Sequence, residues 1–310
     1  MKVLDSLGKI NPEHRIRLTL GNFDGVHIGH QSVLQSIKKK CLASEKLVLI
    51  TFEPHPQFIL NQKDSFYLLT SRDAKHRLLE SMGVDYLIEI PFTRDFSTQD
   101  PNTFLEKYLF VHPGIVGVYL GHDFSFGANK RGEFELVLSY IKEKKLAVEL
   151  EQLPAYSQQH QNISSTLIRQ KIIEGQIEKA NEFLSRPYQL SGLVIKGNGR
   201  GKKIGYPTAN IELDPKMLIP QKGVYITQTI TAGLRFKSVT NIGHNPTFNL
   251  KNKVAVETHL LDFQDEIYGE LIEVHFYKKL RSEVKFDTIN DLVEQIHQDC
   301  QQAKVFNFSP

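Results

Sequence analysis

Cysteine occurs only twice in the 310 residues, at Cys41 and Cys300. Two cysteines so far apart have no metal-ligand spacing and cannot build a disulfide framework, which fits a reducing compartment. Long hydrophobic runs are missing as well. None approaches membrane-spanning length, and Lys2, Asp5, Lys9 and Glu13 stand where a signal peptide would need its apolar core. The expected location is the cytoplasm, with no membrane partner. Charge of one sign is scarce, because 38 Lys and Arg against 35 Asp and Glu leave a net +3. That mild excess suits anionic small molecules and lacks the clustered basicity of a nucleic-acid binder. Lys38 to Lys40 are a local cluster, but cations at a predicted helix C-terminus are stabilised by the helix dipole and need no ligand. Internal repeats and low-complexity segments are absent. What is present is 40% hydrophobic and 24% charged residues, enough for substantial cores in two domains.

The most informative stretch is GNFDGVHIGHQ, Gly21 to Gln31, which follows the apolar run Ile16 to Leu20 and opens an amphipathic helix predicted to reach Lys40. Gly21 and Gly25 permit a tight turn, and the first helical amides, unpaired within the helix, face phosphate. His27 and His30 are three apart, which puts both imidazoles on one face of the first turn, with Gly29 keeping the space between them empty. A solvated helix face has the same spacing. The order strand, Gly-flanked loop, His-Ile-Gly-His and helix favours nucleotidyl transfer, as in Rossmann-like nucleotidyltransferases and class I aminoacyl-tRNA synthetases.

Downstream, Lys46 to Phe52, Asp85 to Ile90, Ile115 to Leu120 and Leu146 to Leu150 read as further strands. They alternate with predicted helices from Ser71, Pro101 and Glu133. The alternation implies a parallel sheet, whose strand ends bind ligands. Two loops at such ends are candidate pocket walls. One carries Phe52, His55, Pro56 and Phe58. In the other, Gly121 to Gly132, Phe124 and Phe126 would bracket a flat ring, Asp123 would hydrogen-bond it and Arg131 would neutralise a phosphate. Packing of the phenylalanines into the core is the alternative. Ile163 to Arg169 opens another helix, where Ser164, Ser165 and Thr166 are N-cap candidates and Arg169, one turn on, adds a guanidinium for a polyphosphate.

From about Ser185 the pattern changes to period-two strands, Gln189 to Ile195, Gly223 to Ile230, Phe236 to Asn241, Val254 to Leu261 and Leu271 to Tyr277, then one helix from Thr288. This argues an antiparallel barrel. Lys196 to Tyr206 interleaves Gly197, Gly199, Gly201 and Gly205 with Lys196, Arg200, Lys202 and Lys203, a composition suited to a mobile phosphate flap. Thr208 and Asn210 point the same way in an extended segment and offer hard oxygen ligands for Mg²⁺. In Val254 to Leu260 the apolar residues share one face, so Glu257 projects from the other. It is either solvated or a general base.

These blocks together resemble the bacterial bifunctional riboflavin kinase/FMN adenylyltransferase family. The resemblance rests on GNFDGVHIGHQ, TFEPHP, Ser71 to Lys75, GHDFSFG, ISSTLIR, GRGKKIGYPTAN, NIGHNPTF and ETHLLDF, and covers nearly the whole chain. It implies an α/β Rossmann-like nucleotidyltransferase domain over 1–185 and a riboflavin kinase β-barrel with a C-terminal helix over 186–310. The first would bind ATP through Gly21, Asn22, Phe23, Asp24, His27, Gly29, His30, Ser164, Ser165, Thr166 and Arg169, with FMN against Phe52, His55, Pro56, Phe58, Asp123, Phe124 and Arg131. Members often have Arg where Ser125 stands. The second would hold Mg-ATP with Thr208, Asn210 and the Gly197 to Lys202 flap, use Glu257 as base and place Arg281 beside the flavin. The implied partners are riboflavin, FMN and ATP, with FAD as product, on a monomer or weak homo-oligomer. An adenylyltransferase whose barrel only senses flavin is the alternative.

Overall fold

A computed structural model describes residues 1–308 except 62–65, 123, 125, 127–131, 159–160, 198 and 245–253. The chain divides into two compact units, Met1–Phe66 with Arg72–Ser164, and Tyr67–Ser71 with Ser165–Pro310.

The first unit contains β1 (Lys2–Leu4), β2 (Arg15–Leu20), α1 (Ile28–Lys40), β3 (Glu45–Glu53), α2 (Pro56–Leu60), α3 (Arg72–Ser81), β4 (Tyr86–Pro91), α4 (Arg94–Ser97), α5 (Pro101–Phe104), β5 (Ile115–Gly121), α6 (Phe134–Glu143), β6 (Glu149–Leu153) and the short pair β7 (Ser157–Gln158) and β8 (Gln161–Asn162). Six strands form one parallel sheet in the order β1-β4-β3-β2-β5-β6. In β3 the run Leu47 to Ile50 is apolar at every position because both faces are covered, whereas β2 sets Arg17 and Thr19 between Ile16, Leu18 and Leu20. On one face Leu47, Leu49, Leu87 and Tyr119 meet Leu34 and Ile37 of α1 and Leu79 of α3. On the other, Ile16, Leu18, Val48, Ile88 and Val118 meet Phe104 of α5 with Val137 and Ile141 of α6.

The strand order reverses between β2 and β5. A crevice at such a switch point, outside the strands' C-terminal ends, is where open α/β sheets take ligands. The loops after β2 and β5 leave from there.

The last strand of the sheet begins at Glu149, not at Leu146 as the apolar run predicts. It is an edge strand, and its alternate glutamates serve charges rather than core. Glu149 Oε2 accepts from Arg17 Nη1 at 2.6 Å and Oε1 from Lys40 Nζ at 3.0 Å, and Glu151 pairs with Lys40 as well. Two of the three lysines at the end of α1 are therefore held rather than simply solvated, Lys40 by these glutamates and Lys38 by the Gly83 carbonyl at 3.1 Å.

The second unit begins with α7 (Ser165–Ile173) and α8 (Ile177–Leu184). The rest is β9 (Tyr188–Ile195), α9 (Arg200–Lys203), β10 (Ala209–Leu213), β11 (Gly223–Thr231), β12 (Leu234–His244), β13 (Val254–Leu260), β14 (Leu271–Arg281) and α10 (Ile289–Val305). Six antiparallel strands close a barrel in the order β10-β13-β12-β11-β14-β9. Helix α8 is tied to it by Asn181, whose Nδ2 donates to the Phe276 carbonyl at 2.8 Å and whose Oδ1 accepts from Tyr188 N at 2.7 Å. Thr288 caps α10, which lays Ile296, Cys300 and Ala303 over Val224, Ile226 and Val239 on the barrel's outer surface. The Tyr67–Ser71 segment joins this unit through Leu68, whose amide donates to Lys216 O at 2.8 Å and whose carbonyl accepts from Leu218 N at 2.9 Å.

The barrel interior is partly polar. Thr227, Thr229, Ser238, Thr240 and Thr258 are all 0% exposed. Their hydroxyls close a ring across β11, β12 and β13. Thr240 lies 2.9 Å from Thr258, Thr258 3.2 Å from Thr229, Thr229 2.8 Å from Ser238, Ser238 2.8 Å from Thr227, and Thr227 2.8 Å from Thr240. Each hydroxyl can donate once and accept once, so all five are satisfied without water.

Candidate functional site

Each unit carries one candidate site. In the first, the loop after β2 turns through three residues with positive φ, Phe23 at 50°, Gly25 at 85° and Val26 at 39°. A β-branched residue in that region is strained by roughly 1–3 kcal/mol and persists only where its surroundings fix it. Here Gln31 Nε2 holds the Val26 carbonyl at 2.9 Å, and the Phe23 and Val26 side chains are buried in the core. Gly21, by contrast, sits in tight space, because an added Cβ would stand 3.0 Å from the Phe23 ring and push it by a few tenths of an ångström.

His27 is not inside the first helical turn. It is the N-cap of α1, and its Nδ1 accepts from the His30 amide at 3.4 Å. A neutral imidazole that accepts at Nδ1 carries its proton at Nε2, the atom then able to donate to a phosphate oxygen. The His27 and His30 rings stack with centroids 3.7 Å apart, and Phe23 stacks on His30 at 4.5 Å. A Cβ on Gly29 would come within 3.1 Å of the His27 ring, so the empty space expected at that position is the space the histidine occupies. Asp24 is buried. Asn22 has its carbonyl held by Thr51 Oγ1 at 3.3 Å, while its Oδ1 is buried without a hydrogen-bond partner among the described residues.

The candidate flavin residues separate into two groups. His55 caps α2 by accepting at Nδ1 from Gln57 N at 3.2 Å, and Pro56 is the first helical residue. The His55 ring stacks on Phe66 at 4.5 Å, and Phe58 meets Phe66 edge-on at 5.1 Å. Phe66 is missing from the sequence-based candidates, since nothing in its neighbourhood marks it. Phe52 turns instead to Phe92 and Phe96, at 5.6 and 5.8 Å. In the loop after β5, Phe126 is 7% exposed and belongs to the core with Phe104. The expected bracket does not form, because Phe124 and Phe126 stand 5.4 Å apart and a ring between them needs about 7 Å, two carbon–carbon contacts. Phe124 is half-buried against the same core. Asp123, Ser125 and Arg131 lie outside the described residues.

Ser164 is the last residue of the first unit. Ser165, Thr166 and Arg169 lie on α7 in the second, where Arg169 Nε donates to the Tyr67 carbonyl at 2.8 Å.

The second unit's site lies on the outside of the barrel. Val256, Thr258 and Leu260 are buried inside, which turns Glu257 outward. Strand register sets Asn210 of β10 opposite Glu257 on one side and Asn241 of β12 opposite it on the other, so the three side chains form a row. Burial pushes the Glu257 carboxyl above its ordinary range, and the nearby Arg200 charge and a hydrogen bond from Thr208 only partly offset this. A carboxylate with a raised pKa is a better proton acceptor near neutral pH. The glycine-rich segment is less of a loop than its composition predicts, because Arg200–Lys203 form the one-turn helix α9 after Gly199 at φ 65°. Gly197 packs so closely that an added Cβ would be 2.2 Å from Asn210 Nδ2.

Arg281 is committed elsewhere. Its Nη2 donates to Asp299 Oδ2 at 2.7 Å and its Nε to the same carboxylate at 3.1 Å, with Gln295 completing the cluster on α10. No group of three or more His, Cys, Asp or Glu among the described residues is placed to hold a metal. The oxygens of Thr208 and Asn210 are instead a hard, incomplete donor set, which fits a Mg²⁺ that keeps water and nucleotide phosphates as its other ligands.

The FAD synthetase family model matches residues 9–167 and the riboflavin kinase family model residues 184–307. The bifunctional riboflavin kinase/FMN adenylyltransferase of Bacillus subtilis (strain 168) is 35% identical over 306 residues, covering 94% of this chain and 95% of that protein. Proteins of the same description from Haemophilus influenzae and Escherichia coli (strain K12) are 37% and 32% identical, and cover 93% and 99% of this chain and 93% and 98% of their own lengths. A crystal structure of a Streptococcus pneumoniae protein described as a macrolide-efflux protein superposes with a TM-score of 0.88 at 28% identity, over 98% of this chain and 99% of that one. No helix among the described residues here is long and apolar enough to cross a membrane.

Proposed function

The chain belongs to the bacterial bifunctional riboflavin kinase/FMN adenylyltransferases, and from that premise we propose how its residues divide the two reactions. The enzyme phosphorylates riboflavin to FMN with ATP and then transfers the adenylyl group of a second ATP to FMN, giving FAD and pyrophosphate. The proposed division gives adenylyl transfer to 1–185 and phosphorylation to 186–310.

In the kinase reaction Glu257 accepts the proton of the ribityl hydroxyl as the new O–P bond to the γ-phosphorus forms and the bond to the β-phosphate oxygen breaks. The observation that most supports this is the environment of Glu257, half-buried, in a row with two asparagines and beside Thr208 and Arg200. Thr208 and Asn210 would hold Mg²⁺, which when bound neutralises phosphate charge. Arg200 and Lys202 flank the phosphates with the backbone of Gly197, Gly199 and Gly201. Placing Arg281 beside the flavin rests on the family resemblance alone, as its fork is taken by Asp299.

In the adenylyl transfer the nucleophile is already a phosphate anion, so no strong base is needed. The FMN phosphate oxygen bonds to the α-phosphorus while the bond to the bridging oxygen breaks, and the electron pair leaves with pyrophosphate. His27 and His30 donate to the phosphates, Gly21 to Asp24 and Gly29 shape the cradle, and Phe52, His55, Pro56, Phe58, Asp123, Phe124 and Arg131 take the flavin side. For Ser164, Ser165, Thr166 and Arg169 the phosphate role rests on the ISSTLIR block.

The test is a time course with riboflavin, ATP and Mg²⁺, separating the flavins. FMN should appear first and FAD follow at its expense. FMN without FAD would refute the adenylyltransferase assignment, and FAD formed only from supplied FMN would make the barrel a flavin sensor.

A further inference from the structure

A cation in a protein interior is costly unless an anion accompanies it. Two cations stand near the start of α3, and the structure treats them differently. Arg72 has its anion, donating through Nε to Glu89 Oε2 at 3.0 Å, with His76 on the other carboxylate oxygen at 2.8 Å. Burial opposes ionisation of Glu89, but the bonds from Arg72 and His76 outweigh it and hold the carboxyl below its ordinary range. Lys75 is only 8% exposed and has neither an ion-pair nor a hydrogen-bond partner among the described residues.

Its place in the fold gives the missing anion a source. Helix α3 feeds β4, which runs parallel to β3, so the helix starts at the C-terminal ends of the strands. One turn after Lys75, Leu78 and Leu79 pack in the same core as Phe23 and Val26 of the loop after β2. Helical side chains lean towards the helix N-terminus, so the Lys75 stem leads from that core towards the strand ends where the loop lies. On that loop the buried Asn22 Oδ1 also lacks a partner among the described residues. A donor on a buried stem and a buried acceptor, neither with a partner among the described residues, share one edge of the sheet.

We propose that Lys75 is a phosphate-binding residue of the adenylyl-transfer site, its ammonium taking the polyphosphate of ATP and then the departing pyrophosphate. This rests on the reading of the first unit as the adenylyltransferase. As the bond from the α-phosphorus to the bridging oxygen breaks, negative charge gathers on the leaving group, and an ammonium whose stem is fixed in the core meets that charge already positioned. Lys75 forms and breaks no bond, so the step balances as written above. No carboxylate is needed beside it, because the substrate brings the anion.

A lysine stem can also be buried only to cover apolar surface. Lys75→Met keeps the stem and removes the charge. In the full-length enzyme, pyrophosphate binding by calorimetry should weaken roughly 10-fold or more, the loss of one charge-assisted hydrogen bond. By the same reasoning, kcat/KM for adenylylation of supplied FMN should fall about 10- to 100-fold. Riboflavin phosphorylation should stay within about 2-fold, as the folding control, and Lys75→Arg should recover part of the pyrophosphate affinity. Parent-like pyrophosphate affinity and adenylylation in a folded Lys75→Met enzyme would overturn the proposal. His30→Ala, measured alongside, separates the two levels. If it abolishes adenylylation while Lys75→Met does not, only the role of Lys75 falls. If both variants adenylylate FMN normally, the reading of the site falls with it.

Discussion

Replacing Thr240 by valine should open the hydroxyl ring inside the barrel and destabilise that unit by about 1–3 kcal/mol, the loss of two hydrogen bonds of about 0.5–1.5 kcal/mol each. Valine keeps the branched shape, so the effect is that of the missing oxygen. Thr227 loses one partner and Thr258 the other, and at 0% exposure neither can turn to water. The ring further predicts how substitutions combine. Once Thr240 is gone the remaining hydroxyls form an open row from Thr227 through Ser238 and Thr229 to Thr258. Removing Thr258 then costs one bond instead of two, so Thr240→Val with Thr258→Val should fall short of additivity by about 1 kcal/mol. Ser238 keeps both its bonds in the open row, so Thr240→Val with Ser238→Ala should be additive. Native-state hydrogen exchange of the barrel strands reads the unit's own unfolding free energy within the full chain. Equal additivity for both pairs would mean that the hydroxyls act independently and that the ring has no energetic reality.

Glu257→Gln should abolish FMN formation from riboflavin and leave FAD formation from supplied FMN intact; equal loss of both rates in a folded variant would contradict the division of labour. Because burial raises this carboxyl, the acid limb of the kinase rate should lie above the usual glutamate value of 4.5. Over that interval the native state binds more protons than the unfolded one, so the Glu257 contribution to stability falls as pH rises through the folded pKa. Glu257→Gln should accordingly unfold at a higher temperature than the parent at pH 7–8, and an unchanged or lower Tm would refute the burial argument. Gly197→Ala should lower kinase kcat/KM by roughly 10-fold through displacement of Asn210, about one charge-assisted contact, while adenylylation is unaffected; parent-like kinase activity would show that Asn210 need not stay where it is.

Much of this was legible in the sequence, and the exceptions share physical causes. The run Leu47 to Ile50 announces a strand because a parallel sheet covered on both faces takes apolar residues at every position, and Ile16 to Leu20 does so through Ile16, Leu18 and Leu20 despite Arg17 and Thr19. The edge strand Glu149–Leu153 does not, since its glutamates answer Arg17 and Lys40, and the apolar criterion slides back to Leu146. Period-two patterning places Glu257 on the outer face, as Val256 and Thr258 dictate. It does not reveal that Asn241 is its neighbour, because cross-strand register is a tertiary fact. Phe126 was indistinguishable from Phe124 by composition, yet only Phe126 joins the core with Phe104. Lys75 stands at a helix start, where lysines are ordinarily solvated, and only its burial sets it apart. Lys2–Leu4 and Ile177–Leu184 are elements that the sequence reading above does not contain. Three residues are too few to show a period, whereas Ile177, Ala180, Phe183 and Leu184 do recur at helical spacing on one buried face, a signal present in the sequence over only two turns.

Closure of the barrel has one more consequence. In an open sheet an edge strand can slip by two residues at the cost of a few hydrogen bonds, keeping each side chain on its own face. In a ring of six strands a shift of β13 must be matched against both β10 and β12, and every other strand must follow or the ring must break. The row of Asn210, Glu257 and Asn241 is therefore indexed by the whole circumference. A single residue inserted into β13 ahead of Glu257 would turn that carboxylate into the hydroxyl-lined interior, where no phosphate could follow.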